Sequence, residues 1–108
     1  MTAFDPNQIH ANLLKLGEDW ADKESAASLL EETRRNVRAE IMRQSNEKTI
    51  AAAEAFAEAS IRYKEHIISM VEARRIANRA HVNYKAAHVW VDLARSLEST
   101  RRAEMTGR

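Results

Sequence analysis

A chain of 108 residues with 6% aromatic and 31% charged side chains has room for one domain and little material for an ordinary globular core. Alanine, glutamate, arginine and leucine dominate, with only two glycines and one proline, which is the profile of long helices and coiled coils. A net charge of +1 excludes a global field that would draw the chain to nucleic acid or an anionic membrane, and the absence of cysteine excludes disulfides, thiol chemistry and most structural zinc sites.

The charge is unevenly spread. Residues 1–33 carry a net −5, residues 34–73 a net +1 and residues 74–108 a net +5. An acidic start and a basic end suit pairing within the chain or between two copies of it. No apolar run approaches membrane-spanning length, and "MTAFDPNQIH" lacks the basic and apolar regions of a signal peptide, so we read a soluble, cytoplasmic protein.

The first helix is announced by "FDPNQI". Asp5 suits the N-cap and Pro6 the first helical position. Gln8 stands where a capping-box partner belongs, and Phe4 and Ile9 stand at the two ends of a hydrophobic staple. From there Ile9, Leu13, Leu16, Trp20, Ala27, Leu30, Val37 and Ile41 follow a four-three alternation, the seam of a coiled coil. Lys23 and Arg34 interrupt the seam, with stems that can lie along it while their charges reach water. Gly17 leaves the phase unchanged, and its missing side chain would let a neighbour come close.

The helix is expected to run from about residue 6 to 44. "RQSNEKT", residues 43–49, then supplies Ser45, Asn46 and Thr49, which compete with helix and favour caps and turns. Thr49 is placed to cap a second helix. No proline or glycine follows until Gly107, so this helix is expected from about 50 to 104, roughly 80 Å at 1.5 Å per residue. A change of apolar face makes residues 74–78 the point where that helix could break. Before it, Phe56, Tyr63, Ile67 and Met70 form the seam, flanked by Ile61 and Ile68. After it come Ala77, Tyr84 and Val91, joined by Ile76, Trp90, Leu93 and Leu97, with Val82 and Val89 on another side. A helix apolar on most sides needs more than one partner.

Two heptad features stand out in the second helix. Ala52, Ala59, Ala73, Ala80, Ala87 and Ala94 share one position, with His66 the exception, and small residues so spaced allow a close antiparallel helix contact. Beside them Arg74, Asn78, His81, Lys85, His88, Asp92 and Arg95 form an unbroken polar strip. If the chain folds back at 44–48, Pro6 falls level with about residue 87, so that Val89, Trp90, Val91, Leu93 and Leu97 overhang the first helix and need cover. The expected architecture is therefore an all-α antiparallel helical hairpin that dimerises into a bundle. Its oligomer interface would comprise Ala73, Ala80, Tyr84, Ala87, Val89, Trp90, Val91, Leu93, Ala94 and Leu97.

No glycine-rich phosphate loop, HExxH or nucleophile elbow is present, and the carboxylate pairs Glu18–Asp19 and Glu31–Glu32 sit on an exposed helix, so neither catalysis nor a cofactor is expected. His88 and Asp92 share a face at metal-ligand spacing, but a third ligand is missing and a solvated strip is the simpler reading. Arg74, Arg75, Arg79, His81, Lys85, His88, Arg95, Arg101 and Arg102 are the candidate residues for a protein or nucleic-acid partner. Tyr84 and Trp90 lie among them, as in proteins that grip phosphates and stack bases.

Two stretches, "LLKLGEDWADKESAASLLEET" in the first half and "MVEARRIANRAHVNYKAAHVW" with "SLESTRRAEM" in the second, resemble small uncharacterised helical proteins of temperate phages and prophages. The resemblance covers most of the chain outside residues 43–56. Such proteins tend to be encoded among early genes for recombination and replication. The resemblance thus implies a cytoplasmic accessory or inhibitor protein in a bacterial host, acting on a protein or nucleoprotein partner in DNA metabolism or against host defence. Direct DNA binding through the C-terminal arginines and a scaffolding role built on self-assembly remain the alternatives.

Overall fold

The computed structural model describes residues 5–107, and every regular element among them is α-helical. Helix α1 spans Pro6–Gln44, α2 spans Ile50–Ala59 and α3 spans Ile61–Thr106. None is long and apolar enough to cross a membrane. The expected staple partner Phe4 lies outside the described residues.

Each boundary has a local cause. The Asp5 carboxylate accepts from the backbone N–H groups of Asn7 at 3.0 Å and Gln8 at 3.4 Å, satisfying donors that the first turn leaves free. At the other end of α1, the Ser45 hydroxyl donates to the Met42 carbonyl at 2.7 Å, and Asn46 takes a left-handed conformation with φ 58°. Asparagine tolerates that region better than most residues, and it turns the chain out of the helix. Thr49, in extended conformation, then accepts from Ala52 N–H at 3.1 Å and opens α2.

The expected second helix is in fact two. Ser60 is extended (φ −68°, ψ 138°), closes α2 by donating its N–H to Ala57, and opens α3 by accepting from Tyr63 N–H at 3.3 Å. Residues 74–78, where a break could have fallen, lie within uninterrupted α3. The change of apolar face there reflects two separate faces on one helix. The Ser60 break also shifts the phase of the seam by one residue. Ala53 and Ala57 are buried in α2, whereas Phe56, expected in the seam, is 47% exposed.

The described residues group into two compact units. In the first, Asp22–Asn78, the C-terminal part of α1 packs antiparallel to α2 and the start of α3. Ala27, Ile41, Ala53, Ala57 and Ala77 are its buried residues. Small side chains at these points bring helices close, where large ones would hold them apart. Contacts between helices are otherwise polar at the rim. Arg38 pairs with Glu58 at 3.0 Å and Arg62 with Glu40 at 3.0 Å. His66, the exception in the alanine line, reaches the Leu30 carbonyl at 2.8 Å. A carbonyl only accepts, so Nε2 of His66 carries the proton of that bond.

In the second unit, residues 5–21 and 79–107, α1 packs against the C-terminal part of α3 through rings. Trp20 stacks on His81 with centroids 4.2 Å apart and lies 5.6 Å from Tyr84, whose edge meets His88 at 4.7 Å. Tyr84 in turn lies against Gly17, where an added Cβ would stand 3.2 Å from the ring. The close approach anticipated at Gly17 is thus made by Tyr84. With Gly17 level with Tyr84, eleven residues back to Pro6 along α1 correspond to about residue 95 on α3. The overhang therefore starts near residue 96 and not at 88, and Val91 is only 6% exposed. The turn at 45–49 and the break at Ser60 take up residues that a simple fold-back does not.

Candidate functional site

Helix α3 carries two distinct faces in its C-terminal half, and they divide the residues expected to bind partners. The inward face holds Ala80 and Val91 buried and Tyr84, Ala87 and Ala94 half-buried, with Ala73 half-buried in the other unit. These six were expected to meet a second molecule. They are covered by the chain itself, because a small-residue ridge serves a contact within one chain as well as one between two.

Three members of the polar strip, Arg74, His81 and His88, are turned inward, while Asn78, Lys85, Asp92 and Arg95 stay exposed. Arg74 spans two carboxylates of α1 that are seven residues apart and so share one face. Its Nε and Nη2 donate to Glu31 at 2.9 and 2.7 Å, and its Nη1 donates to both oxygens of Glu24 at 2.9 and 2.6 Å. A guanidinium fork engaged this fully has little left to offer a ligand. The hydrogen bond from Arg74 holds the Glu31 carboxyl below its ordinary range, and the same bonds hold the Arg74 guanidinium protonated. Arg75 is engaged along its own helix by Glu72 at 2.6 Å, and Glu72 is likewise held low by that bond. His81 and His88 are half-buried in the ring contacts with Trp20 and Tyr84. Of the expected binding residues, Arg75, Arg79, Lys85, Arg95, Arg101 and Arg102 are exposed, Arg75 with its guanidinium held by Glu72. A heptad strip of polar residues is ambiguous from sequence because a strip flanking a seam can be drawn into it whenever the facing helix offers matching groups, here Glu24, Glu31 and Trp20.

The outward face is apolar. Val82, Val89, Leu93 and Leu97 are exposed along one side of α3, and Trp90 beside them is 63% exposed. Exposed Ala86 completes the row. The spacing 82, 86, 89, 93 repeats the four-three alternation of a coiled-coil seam. Single exposed apolar residues are ordinary, but a contiguous row of this kind marks a contact surface. Val82 and Val89 were legible in the sequence as a separate side, and Val89, Trp90, Leu93 and Leu97 as interface. Ala86, which joins them into one seam, is the residue that sequence reasoning missed.

The chain matches none of the protein-family models, curated proteins or solved structures with which it was compared. The site therefore rests on its own chemistry. Among the described residues, no group of three or more histidine, aspartate or glutamate side chains is placed to hold a metal ion. An open groove of about 530 Å³ lies between α1 and the Ser60 break and is lined by Arg34, Arg35, Arg38, Ala39, Met42, Glu58 and Tyr63. Its openness to solvent offers no site from which water is excluded, and Arg38 within it is already paired with Glu54 and Glu58.

Proposed function

We propose that this protein is a non-enzymatic interaction protein whose working surface is the outward face of α3. The observation that carries the reading is the exposed row Val82, Val89, Trp90, Leu93 and Leu97 on a helix whose opposite face is already packed. Burying one such side chain stabilises by roughly 1.5–3 kcal/mol when cover is complete. Five of them in a row offset a substantial part of the cost of association, about 4–15 kcal/mol. The resemblance to small helical phage proteins would place the partner in DNA recombination or replication, or in host defence, within the cytoplasm of a bacterial host.

The reading is tested by affinity capture with paired baits. Wild-type protein is expected to retain a defined protein or nucleoprotein partner that Leu93→Glu and Trp90→Ala baits lose at unchanged helical content. Capture indifferent to both substitutions removes the outward face as the working surface.

Direct DNA binding is the second reading, favoured by the exposed cations Arg79, Lys85, Arg95, Arg101 and Arg102. If all five met phosphates, log K against log salt would have a slope of about −4.5. A slope near zero, or no binding at low salt, removes this reading. A scaffold would form assemblies that grow with concentration in light scattering.

A further inference from the structure

We propose that the occupant of the outward face of α3 is the same face of a second copy, running antiparallel about a two-fold axis level with residues 87 and 88. The inference rests on the reading of that face as a docking surface and adds to it the partner, the direction and the register.

The ends of the apolar row set the direction of the pair. Its seam residues are Val82, Ala86, Val89 and Leu93, all exposed, and the next seam positions outward are Arg79 and Ser96. In a parallel pair each seam residue meets its own counterpart, so Arg79 would face Arg79 across the contact. Like charges so placed repel. In an antiparallel pair centred on the row, Val82 meets Leu93 of the second copy, Ala86 meets Val89, and Arg79 meets Ser96. Every apolar layer then faces an apolar layer, and no charge faces its like in the seam. The small Ala86 opposite Val89 lets the two helices come close at the centre.

The flanks agree independently. Lys85 and Asp92 are exposed and lie along the same edge of the row, seven residues apart. The antiparallel register that pairs Ala86 with Val89 brings Lys85 of one copy within about two residues, roughly 3 Å along the axis, of Asp92 of the other. The two-fold axis makes that pair twice. In the parallel arrangement each would instead face the opposite edge of the second helix, where Trp90 and Leu97 lie, and no such pair forms. On the other edge Trp90 sits near the axis and is covered in the antiparallel pair. One register thus satisfies the apolar layers, the terminal arginine and both flanking charges, which were not used to choose it.

The chain has no cysteine, so a single introduced cysteine carries a spin label without background. In the full-length protein labelled at Arg101→Cys, the antiparallel register separates the two labels by 27 residues of helix, about 40 Å, whereas a parallel pair holds them within about 20 Å. A dimer in sedimentation with labels near 40 Å is the expected result. Charge exchange provides a second readout. Lys85→Glu is expected to weaken dimerisation roughly three- to thirtyfold, and Lys85→Glu with Asp92→Lys to restore it. Labels within 20 Å, or no rescue by the double exchange, overturn the antiparallel register while leaving the face a docking surface. A chain that stays monomeric at millimolar concentration overturns the second copy as occupant. The docking-surface reading then survives only if Leu93→Glu still abolishes partner capture. A dimer that Leu93→Glu leaves intact is held elsewhere and overturns this proposal.

Discussion

The two units solve the same problem, holding α1 against the returning chain, with different chemistry. In Asp22–Asn78 the interior is alanine and isoleucine and the rim is charged, with Arg38 reaching Glu58, Arg62 reaching Glu40, and Arg74 reaching Glu24 and Glu31 on the opposing helix. In the other unit Trp20 of α1 meets the rings of His81 and Tyr84 on α3, and Tyr84 meets His88 along its own helix. Solvated ion pairs contribute little each and fix alignment more than they add stability. Stacked and edge-on rings bury more surface per contact. The unit held by rings also carries the four-three row Val82, Ala86, Val89 and Leu93 on the opposite face of α3, whereas the exposed apolar side chains of the other unit, such as Leu29, Ile50, Phe56, Ile61 and Ile68, are spread over all three helices. One part of the chain is aligned by charge, and the other supplies adhesion on both sides of a single helix.

This contrast can be broken from the adhesive side first. Trp20→Ala should cost about 2–4 kcal/mol, somewhat less than a fully buried aromatic because Trp20 is half-buried, and should remove much of the near-ultraviolet dichroism. Thermal or urea unfolding measures it, and a loss under about 1 kcal/mol would show that the ring ladder is ornamental. The small-residue interior is probed next. Ala57→Leu inserts bulk where the side chain is fully buried and should cost about 1–3 kcal/mol, while Ala55→Leu on the exposed side of α2 should be near neutral.

Alignment by charge gives a smaller and pH-dependent effect. The Glu31 carboxyl is held below its ordinary value of about 4.5 by Arg74, so its contribution is present above that pH and is lost as pH falls through the lower folded value. The melting temperature of the wild type should therefore drop more steeply below pH 4.5 than that of Arg74→Met, and high salt should narrow the difference. Equal pH profiles would remove any role for the fork. The smallest effect is expected at Gly17. Alanine there gains about 1 kcal/mol of helix propensity. It also presses on Tyr84, which Trp20 and His88 prevent from yielding freely. Gly17→Ala should be slightly destabilising in the wild type and stabilising in a Tyr84→Leu background. A stabilising Gly17→Ala in both would show that the ring has room to move.

The helical class, the seam of the first helix and the ends of α1 were readable from the order of residues alone. Asp5, Ser45, Asn46 and Thr49 act within four residues of themselves, through side-chain to backbone bonds that need no distant partner. The packed fold alone settled that Arg74, His81 and His88 would turn inward and that Pro6 would lie level with residue 95 and not 87. Each of those outcomes depends on groups tens of residues away. Glu24 and Glu31 claim Arg74, Trp20 claims His81, and Gly17 admits Tyr84. A heptad pattern says which side chains share a face. Which face becomes the inside is set by what the opposing helix presents when the chain returns.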